Sequence, residues 1–181
     1  MENLDKYLNH LIGFMKETSK LGTAMAFIVP CCYIEYLSKL YNKESNSKSY
    51  KKFIQDVLSE INPKYKSFVY KSGDKDLDIQ MYHILRCGIV HSFSLYGDKK
   101  SKEEGGRDQS IVLGHKDYDE GAHLSSFSNE QIKDACLFIL EDFIEDLEKA
   151  THKLLEIANQ KPEIKNNIEN WLKDHPFISG L

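Results

Sequence analysis

Leu85-Arg86-Cys87-Gly88-Ile89-Val90-His91-Ser92 sets a guanidinium and an imidazole five residues apart inside an otherwise apolar helical segment. The rest of the chain makes this arginine unusual. Of the 24 cationic side chains only Arg86 and Arg107 are arginine; the others are lysine. Lysine is a hydrated point charge, whereas arginine is a planar fork that can meet a phosphate or a carboxylate with two hydrogen bonds. An Arg-x4-His pair in an apolar helix therefore points to phosphate chemistry or to a buried ion pair. For the ion pair, Glu35 and Asp78 are the carboxylates to consider.

Outward from the motif, Ile79, Tyr82, Leu85, Ile89 and Phe93 recur at helical spacing and predict a helix over 76–95 with a wide apolar band, central in its bundle. Upstream, helical patterns cover 3–20, a segment from Gly22-Thr23 to about Tyr41 that Pro30 kinks or starts late, and 48–61, which Asn62-Pro63 ends. Downstream, Gly97 to Asp108 is a charged loop. Ser110–His115 and Ala122–Phe127 then flank an Asp/Glu/Gly turn, which predicts a β-hairpin within 109–127. Ser128 and Gln131 read as a capping box opening a long helix over 128–160, and Pro162 starts a last short helix. The expected architecture is one domain over 1–181, mostly α: an up-and-down helical bundle with an inserted β-hairpin before the long C-terminal helix.

Composition bounds the function. A chain of 181 residues with 41% hydrophobic and 29% charged residues can bury a single core. The net charge of −4 advertises no overall basic field for nucleic acid but leaves room for a local basic groove. The polar N-terminus lacks a signal-peptide pattern. The longest uncharged run, Leu21 to Ile34, is too short for a membrane span, so no membrane partner is expected. Cys31, Cys32, Cys87 and Cys136 lie among apolar residues outside any CxxC and read as core thiols of a cytoplasmic protein.

An Arg-x4-His motif, here Arg86 and His91, near the C-terminal end of a core bundle helix resembles the HEPN superfamily. Those are small all-helical proteins of prokaryotic toxin–antitoxin, phage-defence and CRISPR systems. The order of helices over roughly 1–160 is also similar, while at residue level Arg86 and His91 carry the likeness. Active members often place Asn, Asp or His directly after the arginine; here that residue is Cys87. The resemblance implies a HEPN-like bundle and a metal-independent endoribonuclease of toxin or phage-defence type, working as a homodimer with the two motif helices face to face. It needs no cofactor and can have an antitoxin protein as partner. His91 would deprotonate a ribose 2′-OH or protonate the leaving 5′-oxygen, and Arg86 would stabilise the charge on phosphorus. Ser92, Lys99, Lys100 and Arg107 are the candidate substrate-binding residues.

Geometry adds a condition. Five residues on an ideal α-helix turn about 140° beyond one full turn, so Arg86 and His91 do not share a face. Distortion at Gly88 or a second copy of the motif must bring them together. The alternative is a non-catalytic HEPN-like bundle that binds RNA, a nucleotide or a protein partner, with Arg86 paired to a carboxylate. Three other groups read as structure. His115 and His123, which could approach across the hairpin, lack metal-ligand spacing and read as surface histidines, so no metal site is expected. The lysine-rich stretch around Tyr50, Phe53, Tyr65, Phe68 and Tyr70 reads as a solvated face whose aromatics point to the core. Glu141, Asp142, Glu145, Asp146 and Glu148 read as the wet side of the long helix.

Overall fold

Among the described residues six helical segments order the chain. The structure, a computed structural model, describes residues 2–44, 46–70, 73–92, 95, 111–130, 132 and 134–175; the side chains of 2, 70, 73–75, 91 and 92 lie outside that description. Helix α1 spans Glu2–Ser19 and buries Leu4, Leu8, Ile12 and Met15, one stripe at helical spacing. Gly22, at φ 61°, supplies the left-handed turn that follows it. A 3-10 turn at Ala24–Phe27 leads into α2, Ile28–Asn42. Pro30 falls in the first turn of α2, where its missing N–H costs nothing. Helix α3 covers 47–61. Asn46 caps it by accepting from the Ser49 N–H at 2.9 Å, and it winds as a π-helix over Ile54–Leu58.

The basic, aromatic segment after Pro63 forms two strands, β1 (Ser67–Tyr70) and β2 (Gly73–Asp76), paired antiparallel with Ser67 opposite Asp76. Helix α4 covers 77–92. It is α-helical over Leu77–Gln80 and π-wound over Met81–Ser92, which includes the whole Arg86–His91 motif. After the segment outside the description come β3 (Ile111–Gly114), β4 (Ser125–Phe127), β5 (Ala135–Ile139), α5 (Leu140–Gln160) and α6 (Pro162–Asp174).

The protein is thus mostly helical with a small three-stranded sheet, but two expectations need correcting. The strands at 111–114 and 125–127 do not form a hairpin. Both pair with β5, in the order β3-β5-β4, β3 parallel and β4 antiparallel. The long helix starts at Leu140 rather than at Ser128. Ala-Cys-Leu-Phe-Ile at 135–139 is a continuous apolar run, and all five residues are buried. A central strand covered on both faces needs such a run, and its helix-like spacing to Phe143 is coincidental. Ser128 does not cap a helix. Its Oγ accepts from the Asp134 N–H at 3.0 Å, closing a polar turn in which Asp134 takes φ 63°. Asn129 tightens the same turn by accepting from the Ile132 N–H at 2.6 Å.

One core unites these elements, from Leu4 and Leu8 of α1 to Ile164 and Ile168 of α6. The central helix is α2, which packs against α3, α4, α5 and α6. The motif helix was the expected centre. It lies instead to one side against α2 and α3, with Met81, Ile84, Leu85 and Ile89 buried. That placement puts Arg86 at a wall of the bundle and lets it reach α2.

Candidate functional site

Arg86 reaches across to α2 and meets Glu35. Its Nε and Nη2 donate to Glu35 Oε2 at 3.1 and 2.8 Å, and Nη1 donates to Cys87 Sγ at 3.6 Å. The guanidinium carbon lies 5.7 Å from the centre of the Tyr82 ring, a cation–π distance. Burial opposes the charge on Arg86, but the hydrogen bonds to Glu35 and Cys87 outweigh it, so the guanidinium is held above its ordinary pKa. The pair is not sealed: the Arg86 side chain keeps 17% and Glu35 27% of their exposure. Asp78, the other carboxylate considered for Arg86, belongs elsewhere. It accepts from Gln55 at 2.7 Å and from the Ile79 N–H at 2.8 Å, and burial raises its pKa.

Behind the guanidinium the wall is closed. Tyr50 is 1% exposed and packs edge-on against Tyr82 at 5.3 Å; its hydroxyl has no hydrogen-bond partner among the described residues. Burial drives that phenol far above its ordinary pKa, and so also the thiol of Cys31. The neutral, apolar backing lowers the local dielectric and strengthens the ionic contact in front of it.

The helix winding alters the geometry of the motif. A π-helix closes i→i+5 and takes about 4.4 residues per turn, so position 91 falls about 50° round the axis from position 86 rather than about 140°. The expected distortion therefore runs through the whole of Met81–Ser92 rather than sitting at Gly88 alone. The side chains of His91 and Ser92 are outside the described residues, and so are Lys99, Lys100 and Arg107 entirely.

His115 and His123, which a hairpin would let approach each other, are separated by β5 and contact α5 individually. His115 Nδ1 lies 3.1 Å from Glu141 Oε1, and Glu141 Oε2 accepts from the Lys116 N–H at 3.1 Å. The Nδ1 side faces Glu141, and Nε2 is buried with no partner among the described residues. His115 is a buried residue, not a surface one.

His123 is deeper in function as a strut. Its Nδ1 accepts from the Ile139 N–H at 3.0 Å, which forces the proton onto Nε2. Nε2–H then donates to the Tyr65 hydroxyl at 2.8 Å, and that hydroxyl donates to Asp146 Oδ2 at 2.9 Å. Burial lowers the His123 pKa to about 4. Sequence reasoning missed this chain because its members, from four separate segments, carry no local signal. It also turns Asp146 inward, whereas Glu141, Asp142, Glu145 and Glu148 of the same acidic run meet His115, Lys116, Lys149 and Lys16.

Of the aromatics of the basic stretch, Tyr50, Phe53, Tyr65 and Phe68 are buried, as expected, and do not form a stacking platform; the side chain of Tyr70 lies outside the described residues. Among the described residues no group of three or more His, Cys, Asp or Glu could hold a metal ion. Among the same residues no helix is long and apolar enough to cross a membrane. A comparison with family models, curated proteins and solved structures finds no match to this chain.

Proposed function

We propose that the chain is a HEPN-like, metal-independent endoribonuclease whose reacting groups are Arg86 and His91. The observation that carries the reading is the i→i+5 winding of Met81–Ser92, which turns the five-residue spacing into little more than one helical turn. Single-turn π-bulges are frequent at functional sites, and the same winding also occurs over Ile54–Leu58 of α3. Arg86 is the fork that neutralises charge on the attacked phosphate, and Glu35 fixes its orientation from α2. His91 moves a proton: it takes one from the attacking 2′-OH or gives one to the leaving 5′-oxygen as the P–O5′ bond breaks, the products being a 2′,3′-cyclic phosphate and a 5′-hydroxyl. RNA is the substrate, and a homodimer in a toxin or phage-defence setting, with or without an antitoxin, is the assembly proposed. The test is cleavage of RNA in EDTA by the full chain and by His91→Ala. The expected result is cleavage that the substitution abolishes while the circular dichroism spectrum stays unchanged; magnesium-dependent cleavage, or equal rates for the two proteins, would refute the mechanism.

A second reading rests on the Glu35 contact itself. A guanidinium already satisfied by a carboxylate at 2.8 Å can be scaffolding that locks α4 to α2 in a non-catalytic binding bundle. In that case removal of Arg86 costs stability and changes no reaction.

A further inference from the structure

Helix α1 carries a second stripe beside the one that faces the core. Leu4, Leu8, Ile12 and Met15 are buried and make the first. Tyr7, Leu11, Phe14 and Thr18 make the other, and each directly precedes a buried residue, so the second stripe stands about 100° round the axis from the first. Its members are partly or fully exposed; Phe14 keeps 46% of its exposure. One packed face explains one stripe. The alternation of four- and three-residue steps in the second is the spacing by which a helix packs along another helix. Within the chain α1 packs on α5 and on the 3-10 turn at Ala24–Phe27.

Towards α2 the second stripe borders an apolar groove of ≈ 170 Å³. Tyr7, Leu11 and Met15 line it from α1, and Val29, Cys32 and Tyr36 line it from α2. A dry apolar cavity of ~150 Å³ takes a benzene ring, so the groove is sized for one phenyl side chain. Phe14 is such a side chain, exposed on the same stripe about one turn from Leu11, and it is not among the walls. A ring and a hole that fits it, side by side on one face, form a self-complementary surface. A two-fold interface between identical chains needs that property.

We propose that a second copy of this chain occupies the groove, its α1 lying antiparallel to the first and each Phe14 entering the other copy's groove. The layers then pair Leu11 with the partner's Phe14 and Tyr7 with the partner's Thr18, each twice. The polar flank agrees with this register. His10 and Glu17 border the stripe on its solvent side, and antiparallel packing sets His10 beside the partner's Glu17 on both sides of the axis. The imidazole supplies a donor and the carboxylate an acceptor. Lys20 already orients Glu17 at 2.7 Å, which leaves the carboxylate lone pairs for a second donor. A parallel pairing would set Phe14 against Phe14 and leave the groove empty. An 18-residue helix is about 27 Å long, so the contact is small and the dimer is one of micromolar strength. The surface is argued from α1 and α2 alone and is independent of the ribonuclease reading.

The test is sedimentation velocity of the full chain from low to high micromolar concentration, beside Phe14→Asp, His10→Glu and the double variant His10→Glu/Glu17→Lys. The three positions are exposed, and circular dichroism checks that each variant folds. The full chain should dimerise. Phe14→Asp should weaken the dimer at least about 100-fold, because the two-fold axis repeats the substitution. His10→Glu meets the partner's Glu17 and should weaken it about 2- to 30-fold; adding Glu17→Lys should restore it. Alkylation of Cys32, exposed on the groove wall, should slow as the full chain dimerises and stay fast in Phe14→Asp. A full chain that stays monomeric overturns the proposal, and so does a dimer that persists in Phe14→Asp or leaves Cys32 alkylation unchanged. A dimer that Phe14→Asp breaks but His10→Glu does not affect overturns the antiparallel register. If Phe14→Asp misfolds, the exposed charge pair and Cys32 carry the test. RNA cleavage in EDTA decides the ribonuclease reading separately.

Discussion

The Arg86–Glu35 wall and the His123–Tyr65–Asp146 chain both join a nitrogen-bearing side chain to a carboxylate, and they use it in opposite ways. At the wall the groups stay charged and partly open, with 17% and 27% of their exposure retained. In the chain the imidazole is neutral, its pKa held near 4 by burial, and both ring nitrogens are spoken for. A perturbed pKa alone would select His123 as the reactive group. The hydrogen-bond accounting selects against it: a base whose lone pair already accepts from the Ile139 N–H has nothing left for a substrate. The commitment of its polar atoms, not the size of its shift, decides that His123 is a strut.

The sharpest way to break this contrast is at the wall. His91→Ala should reduce RNA cleavage by about 10²–10⁴-fold, the usual contribution of a proton-transfer group. Arg86→Lys should fall comparably despite keeping its charge, because lysine lacks the fork. Rates in EDTA on a labelled RNA decide this, and wild-type-like cleavage by both variants would leave the wall with no chemistry.

The chain should show itself in pH dependence. His123 titrates near 4 when folded and near 6.5 when unfolded. The unfolded state therefore binds the extra proton between those values. Stability from this group is complete above pH 6.5 and is lost as pH falls toward 4, by about 3 kcal/mol at most. Asp146 and Asp78, whose pKa values burial raises, act in the opposite sense just above the ordinary aspartate range. Urea unfolding of the parent chain and His123→Gln at pH 7.0 and 4.5 isolates the imidazole contribution as a difference. Equal pH slopes in the two proteins would show that His123 is accessible after all.

Tyr65→Phe tests the same chain at its centre. It strands the Nε2–H of His123 and one oxygen of Asp146 in a site where Tyr65 is fully buried, and should cost about 1–3 kcal/mol in thermal or urea melts. Arg86→Ala should cost less, about 1–2 kcal/mol. The pair it breaks is intermediate between an exposed ion pair worth ~0.2–1 kcal/mol and a sealed one whose disruption costs ~3–5 kcal/mol. A loss at the upper figure, with cleavage unaffected, would make the wall another strut and favour the non-catalytic bundle.

Local patterns carried much of the architecture. The helices at 2–19, 28–42, 47–61, 77–92 and 162–174 follow apolar periodicity and the Pro162 start, which act within a few residues. Arg86 and the candidacy of Glu35 as its partner were equally legible, because arginine is rare in this chain and a half-buried guanidinium needs an anion. The lysine-rich aromatics pointed inward for the same kind of reason: Tyr50 and Phe53 lie on the apolar stripe of α3.

What tertiary structure alone decided is how short apolar runs are used and which distant groups meet. Ala135–Ile139 satisfies helix and strand patterns alike, and it became a strand because Ile111–Gly114 and Ser125–Phe127 supply hydrogen-bonding edges on both sides. His123, Tyr65 and Asp146 converge only after β5 and α5 are placed, so no spacing announces them. The helix at 81–92 was written in the sequence, but its i→i+5 winding was not. Periodicity fixes which face is apolar, while the winding that leaves positions 86 and 91 about 50° apart is visible only in the folded helix.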